Sequence, residues 1–497
     1  MRFRKLFALL VSAALVAIAL VASGAPAAAA PRTSIPNDTW WYDAGGKIMS
    51  SQGGSVLKVG NTYYWVGIEF ATTGQYPFGA VNMYQSTDLV NWTFVKAIVT
   101  PQTSGDLASG RWVGRPDLVY NPTTSTYVLI MEIDGSGSGV GPGNKIGFAT
   151  SSTVTGTYTY RGSTAVNGST MGDHSVFVDG PNAYLAYSGD TPGDVGLGGR
   201  NVTINIAQLA NDWLSVRPAM FSEANGGHEA PFILKIGSKF HWFTSGTNWW
   251  ASTATQHRVS TTLTAWPAWN AVATTPASPD SFNTQFDFII PITGTSGTSY
   301  IAAGDRYTNF QGQGYPAPTG IGRNAWMPLT FAGDTPTLHG YSDLTINLAS
   351  GSLGGNAIAN ARFENEGGTQ TPASWSEFGD RAPTYTRTGG VTGNRLTFSS
   401  TAKYDSYVYQ TITGLRNGTY TLSVQMTGSG THEWAALIGK PSGSLEAQAN
   451  LNFVASQWTT RTVTFTVTNG SAEIGVYVKG TPNSWIKLDN FSLTRNP

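Results

Sequence analysis

Two acidic side chains of this 497-residue chain have the type and placement needed for acid–base chemistry. Glu229 stands beside Ala230 and Pro231 at the start of an apolar, aromatic stretch, and Asp173 opens a similar stretch earlier in the chain. Partial desolvation would raise the pKa of Glu229 and suit it to act as a general acid. Asp173 would then tune that pKa and hold Glu229 in place. Two carboxylates facing each other across a pocket suit glycoside hydrolysis; calcium ligation and a structural ion pair are the alternatives.

The elements that must position these residues form a repeat. Five segments each begin with a polar residue and continue as an apolar strand, a turn rich in Gly, Asn or Ser, and a second strand led by an aromatic residue. They run over residues 52–63, 115–127, 173–184, 229–240 and 285–300. The aromatic anchors recur about every 59 residues, which is typical of a propeller blade built from hairpins. The repeat predicts an all-β chain with a five-bladed β-propeller; a pair of β-sandwiches is the alternative.

Polar residues at the start of each segment are expected to converge. The first strand of every blade lines the central channel of a propeller, so these residues would meet at one mouth of it. The residues concerned are Gln52, Asp173, Glu229 and Gln285, with Arg115 and Asp117 flanking Pro116 in the second segment. Burying polar groups together costs free energy unless they have hydrogen-bond partners. The pattern therefore indicates a site for a polar, uncharged ligand. The alternative is that each group satisfies the backbone at a strand end.

Composition narrows the class of ligand. The chain has 29 Lys and Arg against 29 Asp and Glu, so its formal net charge is zero. A nucleic-acid binder needs a basic surplus to meet phosphates, which argues against that class. A sequence without Cys has no disulfide, thiolate nucleophile or Cys-ligated metal. Aromatic residues make up 12% of the chain, which argues against disorder and supplies surfaces on which sugars stack.

Aromatic and charged residues near the strand ends are candidates for contacts to a sugar. Trp249 and Trp250 follow the fourth segment, and in a strand they would face opposite ways, so at most one of them need be core. Asp305 and Arg306 follow the fifth segment at a place that matches Glu69 in the first. Charge-assisted hydrogen bonds suit such residues to sugar hydroxyls. The alternative is that Asp305 and Arg306 pair with each other.

The two ends of the chain differ from its body. Residues 1–30 combine a positive start, a Leu/Ala/Val run and an Ala-x-Ala end, which predicts a cleaved secretory signal peptide rather than a membrane anchor. Residues 31–348 hold the five segments and form the predicted catalytic propeller. Residues 349–355 are rich in Gly and Ser and are expected to be a flexible linker. Residues 356–497 are long enough for an independent module. The protein is therefore predicted to be secreted and extracellular, with no membrane segment after cleavage.

The tail reads as strands throughout and resembles a jelly-roll carbohydrate-binding module, a β-sandwich. Trp434 and Trp485 are its candidates for stacking on sugar, unless they are core. The segments around Glu364 and Asp489 match the type in which the two ends of the module meet, often around a structural Ca²⁺. Carboxylate oxygens suit Ca²⁺, and plain strand pairing is the alternative. Such a module raises the local concentration of an enzyme on a polymer.

Seven motifs in one order along the body resemble glycoside hydrolase family 43, most closely its exo-β-1,3-galactanase branch. The resemblance spans roughly residues 37–350. The motifs cover residues 46–55 with 63–69, 81–93, 115–121, 147–158, 171–177, 228–240 with 244–245, and 304–306 with 326–329. The resemblance implies a five-bladed propeller that hydrolyses glycosides with inversion of configuration.

The resemblance also implies roles for individual residues. It makes Glu229 the general acid and Asp173 the residue that tunes the pKa of that acid. Most of the family has a first-blade Asp as general base, whereas this chain has Gln52 there. The galactanase branch also lacks that Asp, and the resemblance implies that Gln285 positions the attacking water or acts through its tautomer.

The chain departs from the galactanase branch at two places. Ser51 and Gln52 replace the usual Ala-His, and Gly114 replaces an acidic residue before the second-blade Arg-Pro. Asp117, three residues on, is the candidate to compensate. The predicted function is a secreted, inverting hydrolase that releases galactose from β-1,3-galactan, the backbone of arabinogalactan. The alternatives are an α-L-arabinofuranosidase or β-xylosidase of the same family, and a propeller that binds polysaccharide without catalysis. No catalytic cofactor is expected, and the protein is expected to be a monomer.

Overall fold

The computed structural model describes residues 31–70, 78–133, 145–166, 170–190, 202–224, 227–248, 251–307, 323–365 and 368–496. The regular secondary structure within these ranges is entirely β. It forms a five-bladed β-propeller followed by a β-sandwich, as the repeat and the tail predicted. No helix in the described part of the chain is long and apolar enough to cross a membrane.

A short strand, β1 (Ile35–Pro36), precedes the blades. Each of the first four blades is a four-stranded antiparallel sheet whose strands follow one another outward in chain order. Blade one holds β2 (Gln52–Val59), β3 (Thr62–Phe70), β4 (Phe78–Ser86) and β5 (Thr93–Val99). Blade two holds β6 (Val113–Asn121), β7 (Thr126–Ile133), β8 (Lys145–Ser151) and β9 (Thr159–Thr164). Blade three holds β10 (Thr170–Asp179), β11 (Asn182–Asp190), β12 (Val202–Leu209) and β13 (Val216–Ala224). Blade four holds β14 (His228–Ile236), β15 (Lys239–Gly246), β16 (Gln256–Ser260) and β17 (Asn270–Ala271).

Blade five has five strands. They are β18 (Ala273–Thr275), β19 (Gln285–Gly294), β20 (Gly297–Arg306), β21 (Arg323–Ala332) and β22 (Thr335–His339). Its innermost strand is β19, and β18 lies outermost, parallel to β22. Next come β23 (Asp343–Asn347) and β24 (Ser352–Asn356), which join β1 in a three-stranded sheet.

The predicted hairpins form because their turns contain glycine where the backbone needs it. Val59 pairs with Thr62 and Ile236 with Lys239, so only two residues connect the strands. Gly60 and Gly237 begin these turns with φ of 61° and 60°. A tight hairpin turn that matches strand twist needs this left-handed conformation, which glycine adopts without steric cost.

A bulge interrupts the innermost strand of every blade, close to the channel mouth. In three blades it contains a residue with positive φ, namely Gly53 (58°), Arg115 (43°) and Ala230 (50°). A bulge places an extra residue in one strand and turns the local side chains and N–H groups in new directions. The bulges therefore decide which groups point into the mouth.

The strand register corrects the predicted equivalence of the five segments. Pairing resumes after the bulge at Ser55, Asp117, His174, Phe232 and Phe288. Three residues before these stand Gln52, Gly114, Met171, Glu229 and Gln285, which are the equivalent positions. Asp173 directly precedes His174, so its predicted equivalence with Glu229 is wrong. Counting back from the aromatic anchor misplaced it because blade three has two more residues between the bulge and the anchor, from His174 to Tyr184, than blade four has from Phe232 to Phe240.

Packing closes the ring between blades five and one, which do not share a sheet. Trp65 and Trp92 of blade one meet Trp326 of blade five and Trp41 of the N-terminal segment, with ring centroids 5.1–5.9 Å apart. Most of these pairs are edge-on, the arrangement that aromatic quadrupoles favour. The N–H of Trp326 donates to Asn37 Oδ1 (2.8 Å), and Asn37 Nδ2 donates back to the Trp326 carbonyl (2.7 Å). The N-terminal segment thus seals the seam.

The tail folds into two five-stranded antiparallel sheets packed over one apolar core. The first sheet has the order β25 (Ser376–Gly379), β28 (Tyr404–Thr413), β33 (Ser471–Gly480), β30 (His432–Pro441), β31 (Ala447–Asn450). The second has the order β26 (Thr384–Thr388), β27 (Asn394–Ser399), β34 (Trp485–Arg495), β29 (Gly418–Ser429), β32 (Thr459–Val467). Along β28 and β33 buried and more exposed residues alternate, which gives each sheet one core face.

The prediction of a flexible linker at residues 349–355 is wrong. This stretch is the turn after β23 and most of β24, in which Ile346 pairs with Leu353 and Leu344 with Gly355. Gly351 has a φ of 72°, and a Cβ there would meet the Gly297 carbonyl oxygen. Its glycine content therefore reflects a tight, crowded turn rather than flexibility.

Candidate active site

Glu229 lies half-buried at the mouth of the channel, near the start of β14. Burial of its carboxyl and the nearby negative charge of Asp173 raise the pKa of Glu229 well above its ordinary value. Arg115 and the backbone N–H of Asn248 act in the opposite direction without cancelling the rise. A carboxyl that keeps its proton near neutral pH is what a general acid requires.

Asp173 is fixed by three hydrogen bonds. Its Oδ1 and Oδ2 accept from Arg115 Nε and Nη2, each at 3.0 Å, in a two-pronged ion pair. The same Oδ2 accepts the backbone N–H of Ala230 at 3.0 Å. Ala230 is the positive-φ residue of the β14 bulge and directly follows Glu229. Asp173 therefore holds the backbone next to the acid, while its charge acts on the acid itself.

Gln285 completes the group of residues that were predicted to be catalytic. Its Nε2 donates to Glu229 Oε1 at 2.8 Å, and its Oε1 accepts from Arg115 Nη2 at 3.5 Å. Residues from blades three, four and five thus lie within hydrogen-bonding distance of one another or of Arg115. The predicted convergence on the mouth is correct for these three residues.

Arg115 is the hub of the site rather than a peripheral sugar contact. Its side chain is buried and pairs through Nη1 with Asp287, in addition to Asp173. The positive φ of Arg115 places it in the β6 bulge. A guanidinium has five donors in a fixed plane, so it can bind two carboxylates and an amide at once.

Asp287 and Tyr307 are two buried residues that were missed from the sequence, and Asp305, predicted as a sugar contact, belongs with them to a buried network. Asp305 Oδ2 accepts the Gly53 N–H at 2.5 Å and the Tyr307 hydroxyl at 2.7 Å. Burial raises the pKa of Asp305 to about 6, and burial together with the charge of Asp305 raises the pKa of Asp287 well above its ordinary value. Asp287 could have been found, because a charged residue between two Phe in an innermost strand is unusual.

The structure places the remaining predicted sugar contacts at different depths. Gln52 is buried at the first-blade position equivalent to Glu229. Glu69 is exposed and accepts from Asn82 Nδ2 at 2.7 Å. Asp117 lies inside the channel, where its Oδ2 accepts the Val176 N–H at 2.6 Å and burial raises its pKa to about 6.

Arg306 does not face the mouth, and Trp249 and Trp250 lie outside the described residues. Arg306 donates to the carbonyl oxygens of Asn37 and Phe282, at 3.0 Å for the latter, so it ties the N-terminal segment to blade five. The prediction that it reads sugar hydroxyls is therefore wrong. Successive strand residues face opposite sides, which is why Asp305 turns inward and Arg306 does not.

An aromatic cluster supports the residue before the acid. The His228 ring stacks on Trp269 with centroids 4.5 Å apart. The buried guanidinium of Arg258 lies 3.9 Å from the Trp269 centroid and 4.4 Å from that of Trp242, and its Nη1 pairs with Glu223 at 2.7 Å. Cation–π contacts of this kind strengthen when water is excluded. Sequence analysis missed this cluster because its members come from three strands and a loop.

The two tryptophans proposed for the tail lie in different sheets. Trp434 is in β30 of the first sheet, 5.1 Å from Tyr477 between ring centroids. Trp485 begins β34 of the second sheet and carries Lys487 Nζ at 4.4 Å from its centroid. Both are partly exposed. They therefore do not form one surface.

Glu364 and Asp489 meet around the loop before β27. Glu364 Oε1 accepts the Asn394 N–H at 2.7 Å, and Asp489 Oδ2 accepts the N–H groups of Val391 and Thr392 at 2.7 and 3.2 Å. Burial raises the pKa of Glu364 to about 7 and that of Asp489 to about 6, and the charge of Asp489 adds to the rise at Glu364. No group of three or more His, Asp or Glu suited to a metal occurs among the described residues.

A raised-pKa acid, a carboxylate that orients it and an amide beside it, at the mouth of a five-bladed propeller, define a glycoside hydrolase. The family model for glycosyl hydrolases family 43 matches residues 50–229, ending at Glu229. Residues 50–229 are therefore similar to family 43 glycoside hydrolases. A search of curated proteins finds no match.

Solved structures support the fold over nearly the whole chain. An exo-β-1,3-galactanase from Phanerochaete chrysosporium, solved with β-1,3-galactotriose, is 22% identical with a TM-score of 0.59, covering 93% of this chain and 100% of its own. An exo-β-1,3-galactanase from Clostridium thermocellum is 19% identical with a TM-score of 0.59 and the same coverage. A putative exo-β-1,3-galactanase from Bifidobacterium bifidum is 22% identical with a TM-score of 0.52, covering 62% of this chain and 95% of its own. At these identities the likeness concerns the fold.

Replacing the acid tests the assignment directly. Glu229→Gln keeps the shape and the hydrogen-bonding groups but cannot donate the proton, so kcat should fall by about 10²- to 10⁴-fold while binding of substrate persists. In the unmodified enzyme kcat/KM should fall as pH rises through the raised pKa of Glu229, because only the protonated form is active. Steady-state rates and calorimetric binding check both points.

The matched control is Glu433→Gln, a half-exposed carboxylate of the tail that pairs with Lys403. Its rate should equal that of the unmodified enzyme. A Glu229→Gln enzyme with near-normal kcat would remove Glu229 from the role of acid.

Proposed function

We propose that this protein is an inverting hydrolase that releases galactose from β-1,3-galactan, the backbone of arabinogalactan. The observation that carries the proposal is the pairing of Glu229 with Gln285, an acid whose partner across the site is an amide rather than a second carboxylate. Gln52 occupies the equivalent first-blade position, so an amide stands there too. The fold likeness to exo-β-1,3-galactanases adds support for this substrate.

In the proposed reaction Glu229 donates its proton to the glycosidic oxygen as the bond to the sugar breaks. Gln285 positions the attacking water and, as its imidic-acid tautomer, accepts the proton of that water on Nε2, while Arg115 fixes the Gln285 oxygen. After the product leaves, Nε2 returns the proton to the Glu229 carboxylate through their hydrogen bond, which restores the acid. Asp173 pairs with Arg115 and keeps the acid in place. Inversion needs the acid and the opposite group about 6.5–9.5 Å apart so that a water fits between them. The 2.8 Å Gln285–Glu229 hydrogen bond must therefore open when substrate binds.

Hydrolysis assays separate the substrates. Incubation with β-1,3-galactan and with aryl β-galactoside, α-L-arabinofuranoside and β-xyloside should release galactose only. Proton NMR should detect α-galactose as the first product, because inversion at a β-linkage produces the α-anomer. Arabinose or xylose release would favour the other family activities, and binding without turnover would favour a non-catalytic propeller.

We also propose that the tail binds polysaccharide through an aromatic row on its first sheet. Phe378, Tyr407 and Tyr477 lie opposite one another on adjacent strands β25, β28 and β33, and Trp434 adjoins Tyr477. The Tyr407 and Tyr409 rings are nearly parallel, 4.7 Å apart with a 12° tilt. Phe378 is 66% exposed, which is unusual for a large apolar side chain that serves only the fold. A row of flat rings offers stacking faces to successive sugar units.

Substitutions in the row should separate retention from catalysis. Trp434→Ala and Tyr477→Ala should each weaken retention on insoluble arabinogalactan by about tenfold, the equivalent of about 1.4 kcal/mol, with unchanged kcat on a soluble oligosaccharide. Pull-down isotherms measure retention. Trp485→Ala, in the other sheet, is the comparison. If only Trp485→Ala weakens retention, the binding face is the second sheet.

Glu364 and Asp489 are the proposed ligands of a structural Ca²⁺ in the tail. Burial raises the pKa of both carboxyls and the charge of Asp489 adds to the rise at Glu364, so a cation between them would stabilise their ionised forms. Ca²⁺ should therefore raise the melting temperature at pH 8, where both are ionised, more than at pH 5. The Glu364→Gln, Asp489→Asn double variant should lose the effect, and an equal effect in that variant would place Ca²⁺ elsewhere.

Secretion is part of the proposal and rests on the signal-like sequence of residues 1–30, which lie outside the described residues. A monomer that meets a neutral polymer outside the cell fits a chain whose formal net charge is zero and whose tail is proposed to bind sugar.

A further inference from the structure

The second blade differs from the fourth and fifth at the position equivalent to the acid. Glu229 in blade four and Gln285 in blade five stand three residues before pairing resumes, and Gly114 takes that place in blade two. Glycine presents no side chain to the mouth.

The carboxylate of Glu132 occupies the space that a side chain on Gly114 would take. Glu132 lies directly opposite Gly114, across the β6–β7 pair. Its Oε2 is 2.7 Å from the position of a Cβ built on Gly114, closer than real Cβ contacts come. Trp112 Nε1 lies 2.8 Å from the same point. Blade two therefore delivers a carboxylate to this place from its second strand.

The charge of Glu132 acts on the proposed catalytic acid, Glu229. This negative charge adds to burial and to Asp173 in raising the pKa of Glu229. Glu132 itself is only 5% exposed. A second buried carboxylate acting on Glu229 adds like-charge repulsion at the mouth of the channel. Hydroxyl groups of a bound sugar would lower that cost, because they donate to carboxylates in strong charge-assisted hydrogen bonds.

Trp112 supplies the apolar half of the same subsite. Its partly exposed ring stacks on Phe70 with centroids 5.6 Å apart and a 20° tilt. An aromatic face beside a carboxylate matches a pyranose, which has an apolar C–H face and a rim of hydroxyls. Asp117 does not serve here, because the Val176 N–H holds its carboxylate inside the channel.

We propose that Glu132 binds hydroxyl groups of the sugar unit that the enzyme releases, beside Trp112, and so helps to set its specificity. This inference rests on the proposed galactosidase function. The substrate class is a neutral hexopyranose with hydroxyls free on the side facing blade two.

A chemical double-mutant cycle tests the contact. The unmodified enzyme and the Glu132→Ala and Glu132→Gln variants are compared on aryl β-D-galactoside and its 2-, 3-, 4- and 6-deoxy analogues. Loss of the carboxylate should lower kcat/KM on the parent galactoside by about 10- to 100-fold, the value of a hydrogen bond to a charged group. On at least one deoxy analogue the same variants should lose almost nothing further, because the partner hydroxyl is already absent.

Each substrate is compared between the unmodified enzyme and the variants, so differences in intrinsic reactivity among the analogues cancel. Equal losses on the galactoside and all four analogues would mean a structural role and overturn the inference, as would unchanged kcat/KM in both variants. Glu132→Gln preserves shape if Glu132→Ala fails to fold. In the Glu229→Gln background, adding Glu132→Gln should also reduce the rise in melting temperature produced by galactose. An unmodified enzyme that releases no galactose would instead refute the proposed function, so the two failures are distinct.

Discussion

The candidate site depends on one buried cation, Arg115, held between Asp173 and Asp287. Taking these charges out of water is costly, and a buried charge that loses its partner costs about 3–5 kcal/mol. The three side chains come from blades two, three and five, so the ion pairs favour only the arrangement in which those blades meet correctly. Because the positive φ of Arg115 sets the direction of its side chain, a local backbone feature of β6 controls the geometry of the whole mouth.

This hub explains why the seam of the propeller matters for the site. Gln285 and Asp287 reach Arg115 from blade five, whose neighbour on the other side is blade one. The seam between those blades is held by the tryptophan cluster of Trp41, Trp65, Trp92 and Trp326, since no common sheet joins them. Arg306 strengthens it by binding the N-terminal segment. Asp305 and Arg306 are therefore adjacent in the sequence but have different roles: Asp305 belongs to the buried network of the site, and Arg306 holds the ring together.

The sequence was sufficient for the number of blades and for predicting that Glu229, Asp173 and Gln285 lie close together, because the repeat marks the innermost strand of each blade. An aromatic anchor after a glycine-containing turn indicates a hairpin wherever it occurs. A Glu followed by Ala-Pro at the start of an apolar strand indicates a partly desolvated carboxyl. Asp287 and Tyr307, the Arg258–Trp269 contact and the position of Glu132 were missed, because they depend on cross-strand register and on bulges that spacing does not reveal. The same limitation made Asp173 look equivalent to Glu229, placed Arg306 in the site, and made a crowded glycine turn at residues 349–355 resemble a linker.

The resting site satisfies its own polar groups in the place where a substrate must enter. Gln285 binds Glu229, Arg115 binds Asp173, and the bulge N–H of Ala230 is also used. In the proposed reaction, opening the Gln285–Glu229 bond removes a partner from the acid without moving its carboxyl out of the low-dielectric mouth, so the proton would remain on Glu229 until the glycosidic oxygen takes it. Asp173 cannot swing away with Gln285, because Arg115 and Ala230 hold it from two sides. The network therefore lets one member, the amide, move toward a water while the acid and the residue that orients it stay in place.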